Sequence, residues 1–283
     1  MIRRMIPVLL ILTLALTACS FNISLPIFQE AGPTVVDDIA LPVPSDADVV
    51  DLSLSFGAGT LKLHPGTDSL VSGTATYNLE DFKPVVTVNG SSVTLSQGEW
   101  RVEGIPDMSN LKNEWDLSLG NVPIDLNIQA GAYKAEYEFG GLSLTNLTVS
   151  DGAAEVELVF SEPNATEMTL LRYQTGASNV SLVGLGNANF TTLEFDSGAG
   201  NYTLDFSGEL KRDASVYIET GVSNMTLVIP SGVPVQITME GGLSNVSYGS
   251  GWDKNGSVYT QEGTGSQLTI VIEMGAGNLT ITR

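Results

Sequence analysis

The chain has 283 residues, with 12 basic and 32 acidic side chains, one His and a formal net charge of −20. A negative charge of this size opposes binding to nucleic acid or to a bare anionic bilayer. The single cysteine excludes an intramolecular disulfide and a thiolate metal cluster, so the stability of the fold must come from its core.

The N-terminus has the three parts of a secretory signal. Arg3 and Arg4 precede an apolar run, which ends in Leu16-Thr17-Ala18-Cys19. The run is shorter than the ~20 apolar residues that a membrane helix needs. Its last four residues resemble a bacterial lipobox, which implies a lipoprotein signal peptide over 1–18, a lipid on Cys19 and attachment to a membrane outside the cytoplasm. An ordinary signal peptide with an incidental cysteine is the alternative.

Residues 19–45 are rich in Pro and Asp, which predicts a flexible, lipid-anchored tether. Some apolar residues in this segment could instead cover the first coil of the domain that follows: Val35, Val36, Ile39 and Leu41.

A repeat dominates residues 46–283. A twelve-residue pattern, apolar-x-apolar-x-x-Gly-apolar-x-x-apolar-x-apolar, occurs eight times. Five successive intervals between its glycines are 21, 24, 22, 23 and 21 residues, the period of one coil of a β-solenoid. The glycines are Gly57, Gly131, Gly152, Gly176, Gly198, Gly221, Gly242 and Gly275.

Apolar residues alternate on both sides of each glycine, as in Leu193 and Phe195 before Gly198 and Tyr202 and Leu204 after it. An apolar residue at every second position predicts β-strands. Because every repeat has the same spacing around its glycine, equivalent strands of successive coils are predicted to pair in parallel. We expect the glycine to form a bend and the residue after it to fill an interior corner. The chain is therefore predicted to be an all-β, single-stranded parallel β-helix, whereas an antiparallel sandwich would not repeat one register around a glycine.

Two intervals are longer than a coil. The interval of 74 residues from Gly57 to Gly131 contains a predicted hairpin around Asn89-Gly90. The interval of 33 residues from Gly242 to Gly275 contains a Gly-rich loop with Trp252, which either contacts a partner or sugar or caps the last coil. We expect the last coil to present an open edge.

The residue two positions before each repeat glycine is predicted to face outward. In four late repeats this residue is a carboxylate: Asp196, Glu219, Glu240 and Glu273. Neighbouring coils lie ~4.8 Å apart. Closely spaced carboxylates suit Ca²⁺ or another hard cation, so we treat this row as a candidate metal site. A solvated acidic face is the alternative.

A second outward column begins three residues after the glycine, with a hydroxyl residue two positions further on. We expect Asn to tolerate the turn geometry and to hydrogen-bond along the stack. A flat polar sheet that binds a polysaccharide is the functional alternative. With Trp252, the candidate surface-binding residues are Asn179, Ser181, Asn201, Thr203, Asn224, Thr226, Asn245 and Ser247.

The C-terminal stretch, with Gly251-Trp252, Gly256-Ser257-Val258-Tyr259 and Gly275-Ala276-Gly277-Asn278-Leu279-Thr280-Ile281, resembles the end of toast-rack domains, and Leu52 to Lys62 resembles their start. These domains are akin to cell-wall-active antibiotic-response and putative adhesin domains of bacterial envelope proteins. The resemblance implies a right-handed parallel β-solenoid without a shared catalytic site.

A polysaccharide-active enzyme of β-helix type is the main functional alternative. His64 is followed by Pro65 and has no partner that the sequence identifies, so we expect a surface role for it and no cofactor. The sequence therefore favours a non-catalytic envelope lipoprotein that presents a surface to a cell-wall polymer or an envelope protein, as an adhesin-like or envelope-stress accessory component.

Overall fold

A computed structural model describes residues 31–98 and 110–283. In this part of the chain sixteen strands form one sheet, with short 3-10 turns at Glu80–Phe82 and Leu185–Ala188. No helix here has the length and hydropathy needed to cross a membrane. The strands are β1 (Val35–Leu41), β2 (Val50–Thr67), β3 (Val71–Tyr77), β4 (Pro84–Asn89), β5 (Ser92–Gln97), β6 (Asn113–Gly120), β7 (Pro123–Glu138), β8 (Ser143–Val159), β9 (Met168–Val183), β10 (Phe190–Asp205), β11 (Ala214–Val228), β12 (Val235–Glu240), β13 (Leu243–Tyr248), β14 (Asp253–Asn255), β15 (Val258–Gln261) and β16 (Leu268–Thr282).

Each regular repeat forms one long strand that runs through its glycine. β2, β7, β8, β9, β10 and β11 lie side by side in parallel, and equivalent repeat positions face each other. Leu126, Leu147 and Leu171, for example, lie in one column across three strands. The predicted β-solenoid and its parallel stacking are confirmed.

The core lies between the two halves of the bent strands. Inward side chains before and after the glycine are almost fully buried, as the repeat pattern predicts. Aromatic rings extend this core along the stack, with 5.2 Å between the ring centroids of Phe56 and Trp115 and 5.7 Å between those of Tyr173 and Phe195. Burial of large apolar surface in one continuous core compensates for the absence of cross-links.

The repeat glycines form a row in which successive backbones almost touch. A Cβ on Gly176 would lie 2.4 Å from the carbonyl oxygen of Gly152, and one on Gly198 would lie 2.5 Å from that of Gly176. None of the eight repeat glycines has a left-handed φ. Close approach of the neighbouring coil, rather than an unusual backbone angle, therefore requires glycine here.

The prediction that the residue after each glycine fills an interior corner is wrong for most coils. Five of these residues are exposed, and only Ala58 among the alanines is buried. Glycine and the next residue both face outward, which interrupts the alternation and turns the second half of the strand back toward the core. The interior corner is instead filled by residues such as Phe56, Thr175 and Thr220, directly before the glycine. The exposed residues are Ala132, Ala153, Ala177, Ala199 and Val222.

The first coils are built from segments that are not consecutive in sequence. β5 pairs with the first half of β2, and β6 pairs with its second half, so two short strands replace one long strand. The predicted hairpin is confirmed as β4 and β5, with Gly90 in the turn at a φ of 61°. β1 pairs with β3, so the folded part begins within the segment predicted as a tether and earlier than residue 46.

The coils at the other end do not follow the order of the sequence. β16 lies between β11 on one side and β12 and β13 on the other. The open edge expected at the last repeat is therefore wrong, since β16 has partners on both sides. As at the first coils, the outer position is taken by two short strands, β12 and β13, which pair with the two halves of β16.

Candidate binding face on the second half of the coils

The predicted asparagine and hydroxyl columns lie side by side on the outward face of the second half of the coils. Register places the Asn residues of β9, β10, β11, β16 and β13 in one row and the Ser and Thr residues in the next. We call this surface the amide–hydroxyl face. It consists of Asn179, Asn201, Asn224, Asn278, Asn245, Ser181, Thr203, Thr226, Thr280 and Ser247.

Hydrogen bonds join the asparagines along the stack. The Nδ2 of Asn201 donates to the Oδ1 of Asn179 at 2.8 Å, and the Nδ2 of Asn224 donates to the Oδ1 of Asn201 at 3.1 Å. Asn278 continues the row, with its Nδ2 2.8 Å from the Oδ1 of Asn224. The prediction of a hydrogen-bonded asparagine stack is confirmed, and the row holds the exposed amides in one orientation.

Toward the first coils the same two columns become charged. In the asparagine column, Lys134 on β7 lies beside Glu155 on β8, and the Lys134 Nζ is 2.8 Å from the Glu155 Oε1. Lys62 and Glu136 occupy the hydroxyl column and are also joined at 2.8 Å. The hydrogen bond that Lys134 donates to the Glu155 carboxylate raises the pKa of Lys134, which stays cationic. The face thus has an ionic part and a neutral part.

An open groove of about 390 Å³ spans the boundary between these parts. It crosses β7, β8, β9 and β10, and its floor is made by the outward strand surface. The polar side chains that line it are Lys134, Glu136, Glu155, Glu157, Asn179, Ser181, Asn201 and Thr203. Four of the residues predicted for surface binding therefore line a single depression.

The predicted carboxylates also form a row, on the outward face of the first half of the coils. Their order in space is Asp196, Glu219, Glu273 and Glu240, because β16 lies between β11 and β12. Across residues 31–98 and 110–283, no group of three or more His, Cys, Asp or Glu side chains is arranged to hold a metal ion. Glu219, Glu273 and Glu240 are exposed and Asp196 is half-buried, so the row lies on the solvent-facing surface.

A polar cluster inside the corner escaped the sequence analysis. The Asp151 carboxylate accepts hydrogen bonds from the Tyr173 hydroxyl at 2.7 Å, the Tyr133 hydroxyl at 3.3 Å and the Thr175 hydroxyl. Tyr137 donates in turn to the Tyr133 oxygen at 3.2 Å. Burial raises the pKa of Tyr137 and Tyr173 well above the ordinary value, and the negative charge of Asp151 adds to the effect.

His64 has partners, contrary to the sequence-based expectation. Its Nε2 lies 3.0 Å from the Asp116 carboxylate, and its Nδ1 lies 3.2 Å from the Pro65 carbonyl oxygen and 3.4 Å from the Ser118 hydroxyl. The Nε2 nitrogen faces a carboxylate acceptor, whereas Nδ1 lies between a carbonyl acceptor and a hydroxyl that can donate or accept, so these contacts orient a half-exposed ring. The expected surface role agrees with this geometry.

Trp252 does not belong to a binding surface. Its side chain is only 8% exposed and packs into the core, so the assignment to surface binding is wrong and the capping alternative is correct. An aromatic ring of this size is buried because the end of the core would otherwise face water. Cys19 and the predicted signal peptide 1–18 lie outside the described residues.

Comparison with known families identifies this architecture. The family model described as the N-terminal domain of toast_rack, DUF2154, matches residues 30–171 and 164–228. The chain belongs to the toast-rack family. The matched region covers the regular parallel coils from β2 to β11, including every residue that lines the groove.

A solved structure has a similar fold. A putative cell adhesion protein from Clostridium sporogenes is similar at 21% identity and a TM-score of 0.51, over 88% of this chain and 99% of that chain. A putative adhesin from Parabacteroides merdae aligns at 12% identity and a TM-score of 0.37, over 90% and 99%. No curated protein matches the sequence. The C. sporogenes structure supports the fold assignment of this toast-rack chain.

Proposed function

We propose that this toast-rack chain is a non-catalytic, adhesin-like surface protein that binds an extended cell-envelope polysaccharide along the amide–hydroxyl face. The observation that carries the proposal is the asparagine row, whose exposed amides are fixed by hydrogen bonds beside an open groove. Binding to a preorganised polar row loses less side-chain entropy than binding to freely rotating amides.

The chemistry of the face suits a ligand rich in hydroxyl groups. An amide has two donors and two acceptor lone pairs, so each asparagine within the row keeps one N–H and one lone pair for a ligand after bonding both neighbours. The adjacent Ser and Thr hydroxyls can both donate and accept. These groups recur at each coil, about 4.8 Å apart, and a polymer with regularly spaced hydroxyls can contact several coils at once.

The charge of the protein favours a neutral or partly cationic polymer. The formal net charge of −20 opposes a polyanion, whereas Lys134 and the glutamates around it could contact charged substituents of a mixed polymer. The similar C. sporogenes protein is described as a putative cell adhesion protein, which is consistent with a surface role. A lipid on Cys19 would hold the domain at the membrane, outside the cytoplasm.

A matched pair of double variants tests this proposal. Asn201→Lys with Thr203→Lys places two long charged side chains in the groove, and we expect at least about a tenfold loss of binding to purified peptidoglycan and wall polysaccharide. Gln129→Lys with Gln174→Lys adds the same charge to two exposed positions on the first half of the coils and should bind as wild type. Cosedimentation with the insoluble polymers measures the effect.

Circular dichroism melting curves would show that both double variants remain folded. Equal retention of the wild type and the groove variant would refute the polysaccharide proposal. Recovery of a specific envelope protein by crosslinking in cells, without polymer binding, would replace it with a protein-interaction role.

A further inference from the structure

The strand β4 is an outer edge of the sheet at the first coils. Among the described strands it pairs only with β5, through an antiparallel register from Pro84 with Gln97 to Asn89 with Ser92. On its other side, alternate backbone N–H and C=O groups face away from β5. Such an edge is a template for pairing with another strand.

The side chains of β4 are unusually apolar for their exposure. Val85 is 48% exposed, Val86 41% and Val88 61%. These three residues make up a third of the nine large hydrophobic side chains that are exposed in the described part of the chain. A six-residue strand therefore concentrates apolar surface that the rest of the molecule buries.

Charge normally protects an edge strand from pairing, and β4 lacks it. Pro84–Asn89 contains no ionisable side chain, although the chain carries 44 Asp, Glu, Lys and Arg residues. The edge strand at the opposite end, β14, consists of Asp253, Lys254 and Asn255. The edge strand β1 carries Asp37 and Asp38. A fourth edge strand, β13, also lacks charged side chains, but its Val246 is partly buried, whereas β4 combines the absence of charge with three exposed valines.

We propose that β4 pairs with β4 of a second copy of this chain in an antiparallel arrangement. A two-fold axis at Thr87 would place Val86 opposite Val88 of the second copy, and the symmetry would repeat this contact. Paired β-branched side chains stabilise adjacent strands, and one self-complementary patch is what a two-fold interface requires.

Charge directs a second copy of the chain toward this strand rather than toward the rest of the surface. Two chains with a net charge of −20 repel each other over most of their surfaces, so they can approach at a neutral strand. A basic partner would instead be attracted to the carboxylate row of Asp196, Glu219, Glu273 and Glu240. Pairing would continue the sheet from β2 and β5 of one copy through both β4 strands into the other.

Sedimentation velocity and light scattering on the full chain with Cys19→Ala, which takes no lipid, test the proposal. We expect a concentration-dependent dimer. Val88→Lys places a charge at the edge and should weaken dimerisation at least about tenfold, with an unchanged melting temperature. Val222→Lys is the matched control, because Val222 is 64% exposed on β11, and its dimer should form as in the parent.

Single-cysteine crosslinking provides a second readout. Cys19→Ala removes the only cysteine, so Thr87→Cys or Val86→Cys carries one thiol near the proposed axis. Oxidation should give a disulfide-linked dimer for at least one of them and none for Val222→Cys. A parent chain that stays monomeric at all concentrations, a dimer unaffected by Val88→Lys, or no disulfide at either position would overturn the proposal. None of these outcomes depends on polysaccharide binding.

Discussion

Replacing Gly176 with alanine should open the stack at a defined point. The added Cβ would lie 2.4 Å from the Gly152 carbonyl oxygen, whereas real Cβ atoms stay at least 3.0 Å from such neighbours. β8 and β9 would therefore have to separate by about 0.6 Å at the corner. This movement strains the hydrogen bonds on both sides of the glycine row.

Gly152→Ala is the matched control for this substitution. Its Cβ would lie 3.1 Å from the Gly131 carbonyl oxygen, so the neighbouring coil needs to move only slightly. Both substitutions also reduce the freedom of the unfolded chain, which stabilises each variant by about 0.4–1 kcal/mol. Comparing them isolates the steric contact. We expect Gly176→Ala to be less stable than Gly152→Ala by about 1–3 kcal/mol, the usual cost of overpacking.

Urea denaturation followed by circular dichroism measures the difference. The two variants should share one slope and differ in midpoint. If Gly152→Ala lost as much stability as Gly176→Ala, or if neither lost any, close carbonyl contact would not be the reason for glycine at this position.

The remaining predictions concern the buried tyrosines and the capping tryptophan. Burial raises the pKa of Tyr137 and Tyr173 in the folded state, so these two hydroxyls ionise in the unfolded chain alone as the pH rises past 10.0. The free energy of unfolding should therefore stay constant below that pH and fall above it. Thermal melts across this range should show a shallower fall for Tyr173→Phe than for the exposed control Tyr217→Phe, and identical slopes would contradict the assignment. Trp252→Ala should lower the free energy of unfolding by about 3–5 kcal/mol without weakening polysaccharide binding, whereas a loss of binding in a stable variant would return Trp252 to the binding surface.

The regular coils could be predicted because each carries the same strong local signal. Alternating apolar residues around a glycine determine the strands, the inward columns and the position of the asparagine row. The residue after the glycine was misassigned because alanine is small and apolar and so fits a core or a surface equally well. Exposed Ala177 and Ala199 show that the alternation is interrupted at the corner, which composition does not reveal.

The spatial order of the last coils could not be predicted from the sequence because the repeats are nearly identical in pattern. Any two strands with this pattern can pair in parallel, so β11 has no local preference for β12 over β16. The longer interval before Gly275 is the available signal, and it predicts a loop but not a change in the order of the strands. The sequence does contain a signal for the polar cluster at the corner. Asp151 occupies an inward position, and the two neighbouring strands carry inward tyrosines at 133, 137 and 173.

The position of β16 has a consequence for how the protein is assembled during synthesis. β12 and β13 leave the ribosome before β16, yet in the folded chain they contact β16 rather than β11. Growth of the stack coil by coil can therefore proceed in step with synthesis only as far as β11. The edge of β11 must then wait for a strand made later, and an early pairing of β11 with β12 would have to dissociate before β16 could enter. The slow step of folding is thus expected at this junction, where the order of synthesis and the order of stacking differ.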